Sequence, residues 1–338
     1  MHGARWSLAI VAGLILLSAC RAPQPVSSTT NAETPGSRKK PPAAASAAAP
    51  VGLSTHRMYE DGRERSVLLY RPANLPAKKP VPLVLALHGG GGLPENMMDV
   101  SGFNALADAH GFVVAYPSGT GSTPRRLFWN ILKSGTYATV NEIDDLDFLQ
   151  QALDAVSDMV RVDTNRIYAA GFSQGGMMCY RLACDPAWSK RLAAIAVVGG
   201  TMTVDPESCK AERAVPVISF HGRLDPFSNF AGGIAEKAPR NDQVARPGVE
   251  ESIRFWVSRG GLDQQPSASG TMGTAVMHQY GPDSNGFEVV SWVLEDGGHT
   301  WPGSNGNLPE WMMGKVNRDI VASVLIWDFF SRHPLGTR

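Results

Sequence analysis

The sequence has little of what marks nucleic-acid-binding, metal-binding and nucleotide-binding proteins. Its 31 Lys and Arg residues are balanced by 31 Asp and Glu residues, and no basic cluster alternates with aromatic residues, so we expect no nucleic-acid partner. The four cysteines show no C-x-x-C spacing and no H-E-x-x-H motif occurs, so we expect neither a metal site nor a cofactor. The glycine-rich stretch at 88–92 lacks a following Gly-Lys-Ser/Thr, which excludes a phosphate-binding loop.

Long apolar runs are also scarce. The run at 8–17 follows Arg5 and is too short to span a bilayer, which is typical of a secretory signal peptide. It ends in Leu17-Ser18-Ala19-Cys20, which resembles the lipobox of bacterial lipoproteins. We therefore expect residues 1–19 to be a signal peptide and Cys20 to be lipidated. The alternative is an ordinary cleaved signal peptide with an incidental cysteine.

The lipidated cysteine would attach the exported protein to a membrane, in the periplasm or at the cell surface, unless it is released to the medium. The segment that follows is rich in Pro, Ala, Ser and Thr and has almost no large apolar residues. Such a composition cannot bury enough surface to offset the entropy lost on ordering. We expect residues 20–53 to be a disordered tether, and residues 54–338 to form one catalytic domain.

Three cysteines lie beyond the anchor in what should be an oxidising compartment. Cys179 falls within a predicted helix, where a buried thiol is the simplest expectation. Cys184 ends that helix and Cys209 lies in a predicted loop, so these two could form a disulfide.

Strands and helices alternate along the predicted domain, which favours a mainly parallel sheet with helices on both faces. Buried strands are expected at 66–70, 81–87, 112–117, 166–170, 192–198 and 215–220, with hairpins at 56–72 and 274–294. Helices are expected at 99–110, 143–160, 177–183, 250–258 and 320–330, and an irregular loop at 118–141. In such sheets the ligand site lies beyond the carboxyl ends of the strands.

One serine stands where a nucleophile is usually held. The strand at 166–170 is followed by Gly171-Phe172-Ser173-Gln174-Gly175-Gly176 and then by a helix. Strand, G-x-S-x-G and helix form the sharp turn that lifts a serine hydroxyl out of a sheet. A glycine-rich turn with a solvated serine is the alternative, because the bare pattern is common.

Candidates for the base and the acid follow two other strands. Asp225 comes after the strand at 215–220 and His299 after the second strand of the 274–294 hairpin, giving the order Ser173, Asp225, His299 of α/β-hydrolases. The other histidines are less well placed: His278 lies in a strand, His333 lies beyond the last helix, and His221 is better explained as a structural residue. Among the acids, Asp296 is close to His299 in sequence but not at the expected strand end, and Glu142, Asp144, Asp145 and Asp147 are expected to be helix-start charges. The alternative for Asp225 is a turn residue before Pro226.

The glycine-rich loop at 88–92 supplies a candidate oxyanion site. A loop without Cβ atoms lets a backbone N–H point at the reacting carbonyl, together with the N–H of Gln174, the residue after the nucleophile. Gly90 is the predicted donor, and Gly91 is the alternative.

These segments together resemble a known family. The chain is similar to the polyhydroxybutyrate depolymerase-like esterases, which overlap with the feruloyl and acetylxylan esterases of carbohydrate esterase family 1; the matching segments are Leu87 to Gly92, Phe128-Trp129-Asn130, Gly171 to Gly176, His221 to Asp225 and Gly298 to Gly303. The resemblance covers residues 56–330 and implies an α/β-hydrolase fold, the triad Ser173, Asp225 and His299, and a Cys184–Cys209 disulfide. The chain departs from the family pattern at Arg223-Leu224 and at 227–230, which bears on substrate choice.

The expected activity is ester hydrolysis through an acyl-enzyme. Only residues 201–214 connect the strand after the nucleophile helix to the acid-bearing strand, so we expect little or no lid and an open site. Possible substrate contacts are Trp301, Trp129, Gly91 and Phe227, although such aromatic residues are often core. We expect a polyhydroxyalkanoate-type oligo- or polyester as substrate. The alternatives are a feruloyl or acetylxylan ester, and a surface lipoprotein that binds without catalysis.

Overall fold

The computed structural model describes residues 49–76, 79–306 and 308–336. The predicted signal peptide, the lipidated Cys20 and most of the predicted tether lie outside these residues. The strands are β1 (Gly52–Glu60), β2 (Arg63–Arg71), β3 (Val81–Leu87), β4 (Val113–Pro117), β5 (Thr120–Thr123), β6 (Arg126–Phe128), β7 (Val162–Phe172), β8 (Ala194–Val198), β9 (Val217–Gly222), β10 (Ala268–Met272), β11 (Ala275–Tyr280) and β12 (Val289–Leu294).

The helices lie between these strands. They are α1 (Pro94–Ser101), α2 (Phe103–His110), α3 (Tyr137–Val140), α4 (Asp145–Met159), α5 (Gln174–Cys184), α6 (Pro186–Arg191), α7 (Val249–Arg259), α8 (Glu310–Met313) and α9 (Ala322–Ser331). No helix within the described ranges is long and apolar enough to cross a membrane.

Ten strands form one twisted sheet, in the order β1-β2-β4-β3-β7-β8-β9-β12-β11-β10. The six strands from β4 to β12 in this order pair in parallel, and antiparallel strands complete both sides. The predicted mainly parallel sheet is therefore confirmed. Its parallel strands are joined through helices, so their carboxyl ends meet at one edge.

Two apolar clusters cover the two faces of this sheet. In β3 the side chains alternate, with Leu83, Leu85 and Leu87 in one cluster and Val84 and Ala86 in the other. Residues of α4, α5 and α7 pack in the first cluster, and residues of α1, α2 and α9 pack in the second. Because both faces are covered, every residue of β3 is buried, as its unbroken apolar sequence predicts.

The first hairpin forms as predicted. β1 and β2 pair antiparallel, and both turn residues have positive φ, 46° at Asp61 and 74° at Gly62. Such values match a two-residue turn of the type that Asp-Gly favours. β1 begins at Gly52, two residues before the predicted domain start at 54.

Two predicted segments differ from the structure, and one strand was not predicted. The helix expected at 99–110 is two helices, because Gly102 between α1 and α2 adopts a left-handed conformation with φ 61°. The irregular loop expected at 118–141 contains the β5–β6 hairpin and α3. β10 was not predicted, since its sequence is mostly exposed and lacks apolar alternation.

The predicted disulfide is present. Cys184 at the end of α5 is bonded to Cys209, and their Cα atoms are 4.6 Å apart. It ties α5, the helix that follows Ser173, to the short 201–214 connection, while Cys179 remains a buried free thiol.

Candidate active site

The three predicted catalytic residues lie beyond the carboxyl ends of parallel strands. Ser173 follows β7, Asp225 follows β9 and His299 follows β12, and these strands lie within a run of four neighbours. Ser173 and His299 line the same cleft, and Asp225 is hydrogen-bonded to His299. The sheet topology therefore brings the three residues together, although Ser173 and His299 are 126 positions apart in the sequence.

Ser173 occupies a strained turn between β7 and α5. Its backbone has φ 54° and ψ −120°, which non-glycine residues rarely adopt. The turn needs small neighbours: a Cβ on Gly171 would lie 2.2 Å from the carbonyl of Gly175, and a Cβ on Gly175 would lie 2.2 Å from the Leu87 oxygen. This geometry is that of a nucleophile turn, in which the hydroxyl is presented above the sheet.

His299 is held by a buried carboxylate. Its Nδ1 lies 2.6 Å from Asp225 Oδ2, so Nδ1 carries the donated proton and Nε2 is left as the basic nitrogen. Asp225 Oδ1 accepts the N–H groups of Phe227 at 2.8 Å and Ser228 at 2.7 Å. No hydrogen bond joins the Ser173 hydroxyl to His299 in the described structure. Catalytic hydrogen bonds commonly tighten only when substrate binds.

The pKa of Asp225 reflects two opposed effects. Burial of its carboxyl group is the largest, and it raises the pKa. The facing His299, then His221 and the Ser228 N–H, outweigh burial and leave the pKa of Asp225 below its ordinary value. The carboxylate is therefore ionised at neutral pH and can orient an imidazolium.

The loops of the acid and the base are packed by glycines. A Cβ on Gly222 would lie 2.3 Å from the Gly297 oxygen, and a Cβ on Gly298 would lie 2.3 Å from the Met313 oxygen. The N–H of His299 donates to that same Met313 oxygen at 2.6 Å. The segment at 313–315 thus fixes the backbone of His299, a role that no sequence motif indicates.

The glycine-rich loop distinguishes the two predicted oxyanion donors. The N–H of Gly91 donates to the Leu127 oxygen at 2.6 Å and is already occupied. Within the described residues, neither the N–H of Gly90 nor that of Gln174 has a hydrogen-bond acceptor. The two segments are in contact, since a Cβ on Gly90 would lie 2.7 Å from Gln174 Cδ. These two amides are therefore available to a ligand.

His88 shapes this loop from beneath. Its Nε2 accepts the N–H of Gly119 at 2.9 Å, so the proton is on Nδ1, which donates to the Gly89 oxygen at 2.8 Å. That oxygen also accepts the N–H of Gly92 at 3.0 Å. Burial lowers the pKa of His88 to about 4, although its bond to Gly89 opposes the shift. His88 is thus neutral at neutral pH, and its role in supporting the loop is not indicated by any sequence motif.

The cleft has a volume of about 590 Å³ and is open to solvent. Of the predicted substrate contacts, Gly91, Phe227 and Trp301 line it. Trp301 is only 1% exposed, and its indole N–H donates to Ser323 Oγ at 2.9 Å. Trp129 does not line the cleft, which corrects the expectation that it could contact substrate. Its side chain is fully buried and its indole N–H donates to the His88 oxygen at 2.8 Å, so it supports the loop.

The acidic residues at the start of α4 have two different roles. Asp144 caps the helix by accepting the Asp147 N–H, as a helix-start charge does. Asp145, in contrast, is fully buried and binds Arg65 at 2.6 Å and the Asn130 N–H at 2.6 Å. Burial raises the pKa of Asp145, and Arg65 opposes the shift. Asp145 therefore ties Asn130 of the Phe-Trp-Asn motif to the buried Arg65.

Of the remaining candidates, His221 lies 3.5 Å from Asp225, whereas the others bind elsewhere in the described structure. His221 Nε2 donates to the Ser228 oxygen at 2.7 Å beneath the acid loop. Asp296 pairs with Lys315, whose hydrogen bond contributes most to lowering the pKa of Asp296 to about 2. His278 contacts Ser269 across two strands, and His333 lies beyond α9. In the part of the chain that the structure describes, no three His, Cys, Asp or Glu residues come together as a metal site.

Comparison with known families and proteins adds to this geometry. The family model described as "Esterase PHB depolymerase" matches residues 65–238. "Putative esterase NocK" from Nocardia uniformis subsp. tsuyamanensis is 32% identical over 79% of this chain and 79% of its own length.

Two longer relatives match in part. "Bifunctional acetylxylan esterase/xylanase XynS20E" from Neocallimastix patriciarum is 29% identical over 71% of this chain and 32% of its own length. "Feruloyl esterase B" from Piromyces equi is 26% identical over 70% of this chain and 42% of its own length. The chain thus spans less than half the length of either protein.

A solved structure shares the architecture. The acetyl xylan esterase from Aspergillus awamori superposes with a TM-score of 0.58 at 16% identity, covering 82% of this chain and 99% of that one. At this identity the likeness concerns the fold, which is the α/β-hydrolase fold that the resemblance predicted.

Proposed function

The chain belongs to the esterase PHB depolymerase family of carboxylic ester hydrolases, and from this premise we propose that it is a serine esterase with the triad Ser173, Asp225 and His299. One observation carries the proposal. A serine on a strained turn shares a cleft with a histidine whose other nitrogen is bonded to a buried carboxylate 2.6 Å away. The alternative, a glycine-rich turn with a solvated serine, would require neither the strained backbone nor a histidine bonded to a buried carboxylate beside it.

The proposed reaction begins with attack of Ser173 Oγ on the ester carbonyl while His299 Nε2 takes the hydroxyl proton. The N–H groups of Gly90 and Gln174 stabilise the oxyanion. Collapse of the tetrahedral intermediate breaks the ester bond, and His299 gives its proton to the leaving alcohol. Water, deprotonated by His299, then attacks the acyl-enzyme and releases the acid and free Ser173. Asp225 keeps the imidazole in one orientation throughout.

The acyl and alcohol parts of the substrate are a further proposal. The sequence alone favours polyhydroxyalkanoate-type esters, but the names of two relatives favour the alternative, an acetyl or feruloyl ester of a plant polysaccharide. The open cleft of about 590 Å³ fits a bulky ester, because no lid is inserted between β8 and β9. We place plant-polysaccharide esters first and polyhydroxyalkanoate esters second.

Hydrolysis assays test the activity and rank the substrates. The full mature protein and Ser173→Ala are assayed on p-nitrophenyl acyl esters, methyl ferulate, acetylated xylan and 3-hydroxybutyrate oligomers. We expect the wild type to cleave and the variant to lose several powers of ten in kcat. Inert wild type across the panel, with no labelling of Ser173 by a fluorophosphonate, would favour the non-catalytic binding protein instead.

We also propose that Cys20 is lipidated and anchors the exported enzyme to a membrane. The support is the Leu-Ser-Ala-Cys sequence that ends the apolar run at 8–17. Expression with a radiolabelled fatty acid should label the wild type in the membrane fraction, whereas Cys20→Ala should carry no label. Equal labelling of both proteins would refute the anchor without affecting the esterase proposal.

A further inference from the structure

Among the described residues that line the cleft, one cationic side chain has no charged partner. Apart from the imidazole of His299, its ionisable side chains are Arg126, Asp242 and Arg246. Asp242 and Arg246 neutralise each other, with two contacts of 2.7 and 2.8 Å between side chains that are more than nine-tenths buried. Arg126 is exposed, and within the described residues no carboxylate pairs with it.

The position of Arg126 is fixed relative to the candidate oxyanion site. It begins β6, whose next residue, Leu127, accepts the Gly91 N–H at 2.6 Å and donates to the Gly92 oxygen at 3.4 Å. A Cβ on Gly91 would lie 3.5 Å from Arg126 Nε. The guanidinium also lies 5.6 Å from the centre of the Phe128 ring, which lines the same cleft. The β6 backbone is therefore fixed to the glycine-rich loop, and the Arg126 side chain lies beside the residues that flank Gly90.

The surroundings indicate the chemistry of a ligand. Most of the cleft wall near Ser173 is apolar, with Met97, Val100, Phe172, Met177 and Phe227 among its side chains. An apolar wall with a single unbalanced guanidinium suits a molecule with a hydrocarbon or aromatic body and one anionic group. Guanidinium binds carboxylates with two parallel hydrogen bonds, which fixes their orientation as well as their position.

We propose that Arg126 is a specificity residue that selects esters carrying a free carboxylate close to the scissile bond. This inference rests on the proposed esterase function and narrows its substrate class. Such a carboxylate has two chemical sources: the acid end of a hydroxyacid oligomer, and a uronic acid next to an ester on a polysaccharide. Arg126 acts on binding, because its side-chain contacts in the described part of the chain are with Gly91 and Phe128 and not with the triad.

Two matched substrate pairs test the proposal and distinguish the sources. The first is the 3-hydroxybutyrate dimer as free acid and as primary amide, which is neutral and adds no second ester bond. The second is an acetylated xylo-oligosaccharide with a uronic acid and the same compound with that acid reduced to an alcohol. The ratio of kcat/KM between charged and neutral members is measured for wild type, Arg126→Gln and the control Arg125→Gln. Arg125 is the exposed neighbour on the same hairpin and does not line the cleft.

We expect wild type and Arg125→Gln to prefer the charged member of at least one pair by about three- to fivefold at low ionic strength. The preference should disappear in Arg126→Gln, and salt should weaken it in the wild type. The pair that shows the preference identifies the source. Absence of any preference in the wild type, its survival in Arg126→Gln, or its equal loss in Arg125→Gln would overturn the proposal.

Binding separates this inference from the esterase function. Calorimetry with Ser173→Ala measures affinity for the same compounds when no turnover occurs. Tighter binding of the charged member, lost in Ser173→Ala with Arg126→Gln, would support Arg126 even if the wild type proved inert. Cleavage of neutral esters with no charge preference in either assay would refute Arg126 alone.

Discussion

His88 Nδ1 lies 2.8 Å from the carbonyl oxygen of Gly89, the residue that shares a peptide unit with the proposed oxyanion donor Gly90. In a trans peptide the C=O and N–H groups point in opposite directions. Holding the Gly89 oxygen with two donors, His88 Nδ1–H and the Gly92 N–H, therefore also directs the Gly90 N–H away from them. His88 is a positioning residue that acts through the Gly89–Gly90 peptide.

Replacing His88 should lower kcat through the oxyanion site. We expect His88→Ala to reduce kcat by about ten- to a hundredfold, somewhat less than removal of an oxyanion donor itself, with a smaller change in KM. His88→Asn should recover part of the loss, because its Nδ2 can take the place of Nδ1 toward Gly89. Steady-state kinetics on a p-nitrophenyl ester measures both. If alanine and asparagine were equally impaired at equal stability, the bond to Gly89 would not be the cause.

The same histidine should make the fold sensitive to acid. The pKa of His88 falls to about 4 in the folded protein, so an unfolded chain with an ordinary histidine binds the proton first as pH decreases. The free energy of unfolding should therefore fall by about 3 kcal/mol in total as the pH is lowered from about 6.5 to 4, so the protein becomes less stable. Urea unfolding of wild type and His88→Asn across this range measures the difference. Parallel curves for the two proteins would contradict it.

Much of the parallel sheet could be predicted, because its strands have distinctive sequences. β3 is buried on both faces and has an unbroken apolar sequence. The β1–β2 turn could be predicted from Asp61-Gly62, because its backbone needs positive φ angles. β5, β6 and β10 were missed because exposed short strands have neither an apolar run nor alternation. The break between α1 and α2 was not predicted, because the helical pattern continues on both sides of Gly102 and one glycine can be tolerated within a helix.

The candidate site also has residues that the sequence predicts and residues that it does not. Ser173, Asp225 and His299 could be proposed because each follows a predicted strand, and strand ends converge in a parallel sheet. The support from His88, Trp129 and Asp145 could not, because it depends on contacts between segments far apart in sequence. The bond from the Trp129 indole to His88 spans 41 residues, for example, so the same Trp that suggested a binding surface serves as buried support.

Asp225 should be essential, whereas Asp296, the acidic residue close to His299 in sequence, should not be. We expect Asp225→Asn to lower kcat by about 10⁴-fold, because an amide can impose the wrong imidazole tautomer. Asp296→Asn is the matched control, since Asp296 lies three residues from His299 but binds Lys315 and Thr274. It should retain activity within about twofold. Equal losses in the two variants would show that Asp225 has no special relation to His299.

The nucleophile turn should not tolerate a side chain at Gly171. Its Cβ would lie 2.2 Å from the Gly175 backbone, and neither segment can move without displacing Ser173. We expect Gly171→Ala to lower the free energy of unfolding by about 3 kcal/mol and to reduce kcat sharply. Gly270→Ala is the control, because the nearest atom to its Cβ would be Met277 Cε at 3.7 Å. Chemical denaturation and ester hydrolysis compare them, and a stable, active Gly171→Ala would disprove the packing argument.

The Cys184–Cys209 disulfide closes a loop with a sequence separation of 25 residues. A loop of this length restricts the unfolded chain enough to stabilise the fold by about 3 kcal/mol. Replacing both cysteines with serine should therefore lower Tm by roughly 6–12 °C. Dithiothreitol should lower the Tm of the wild type and leave that of the double variant unchanged.

Cys179 should not complicate the assay, because burial raises the pKa of its thiol and keeps it unreactive in the native state. A wild-type Tm that does not respond to complete reduction, verified by thiol counting in denaturant, would show that the bond adds no stability.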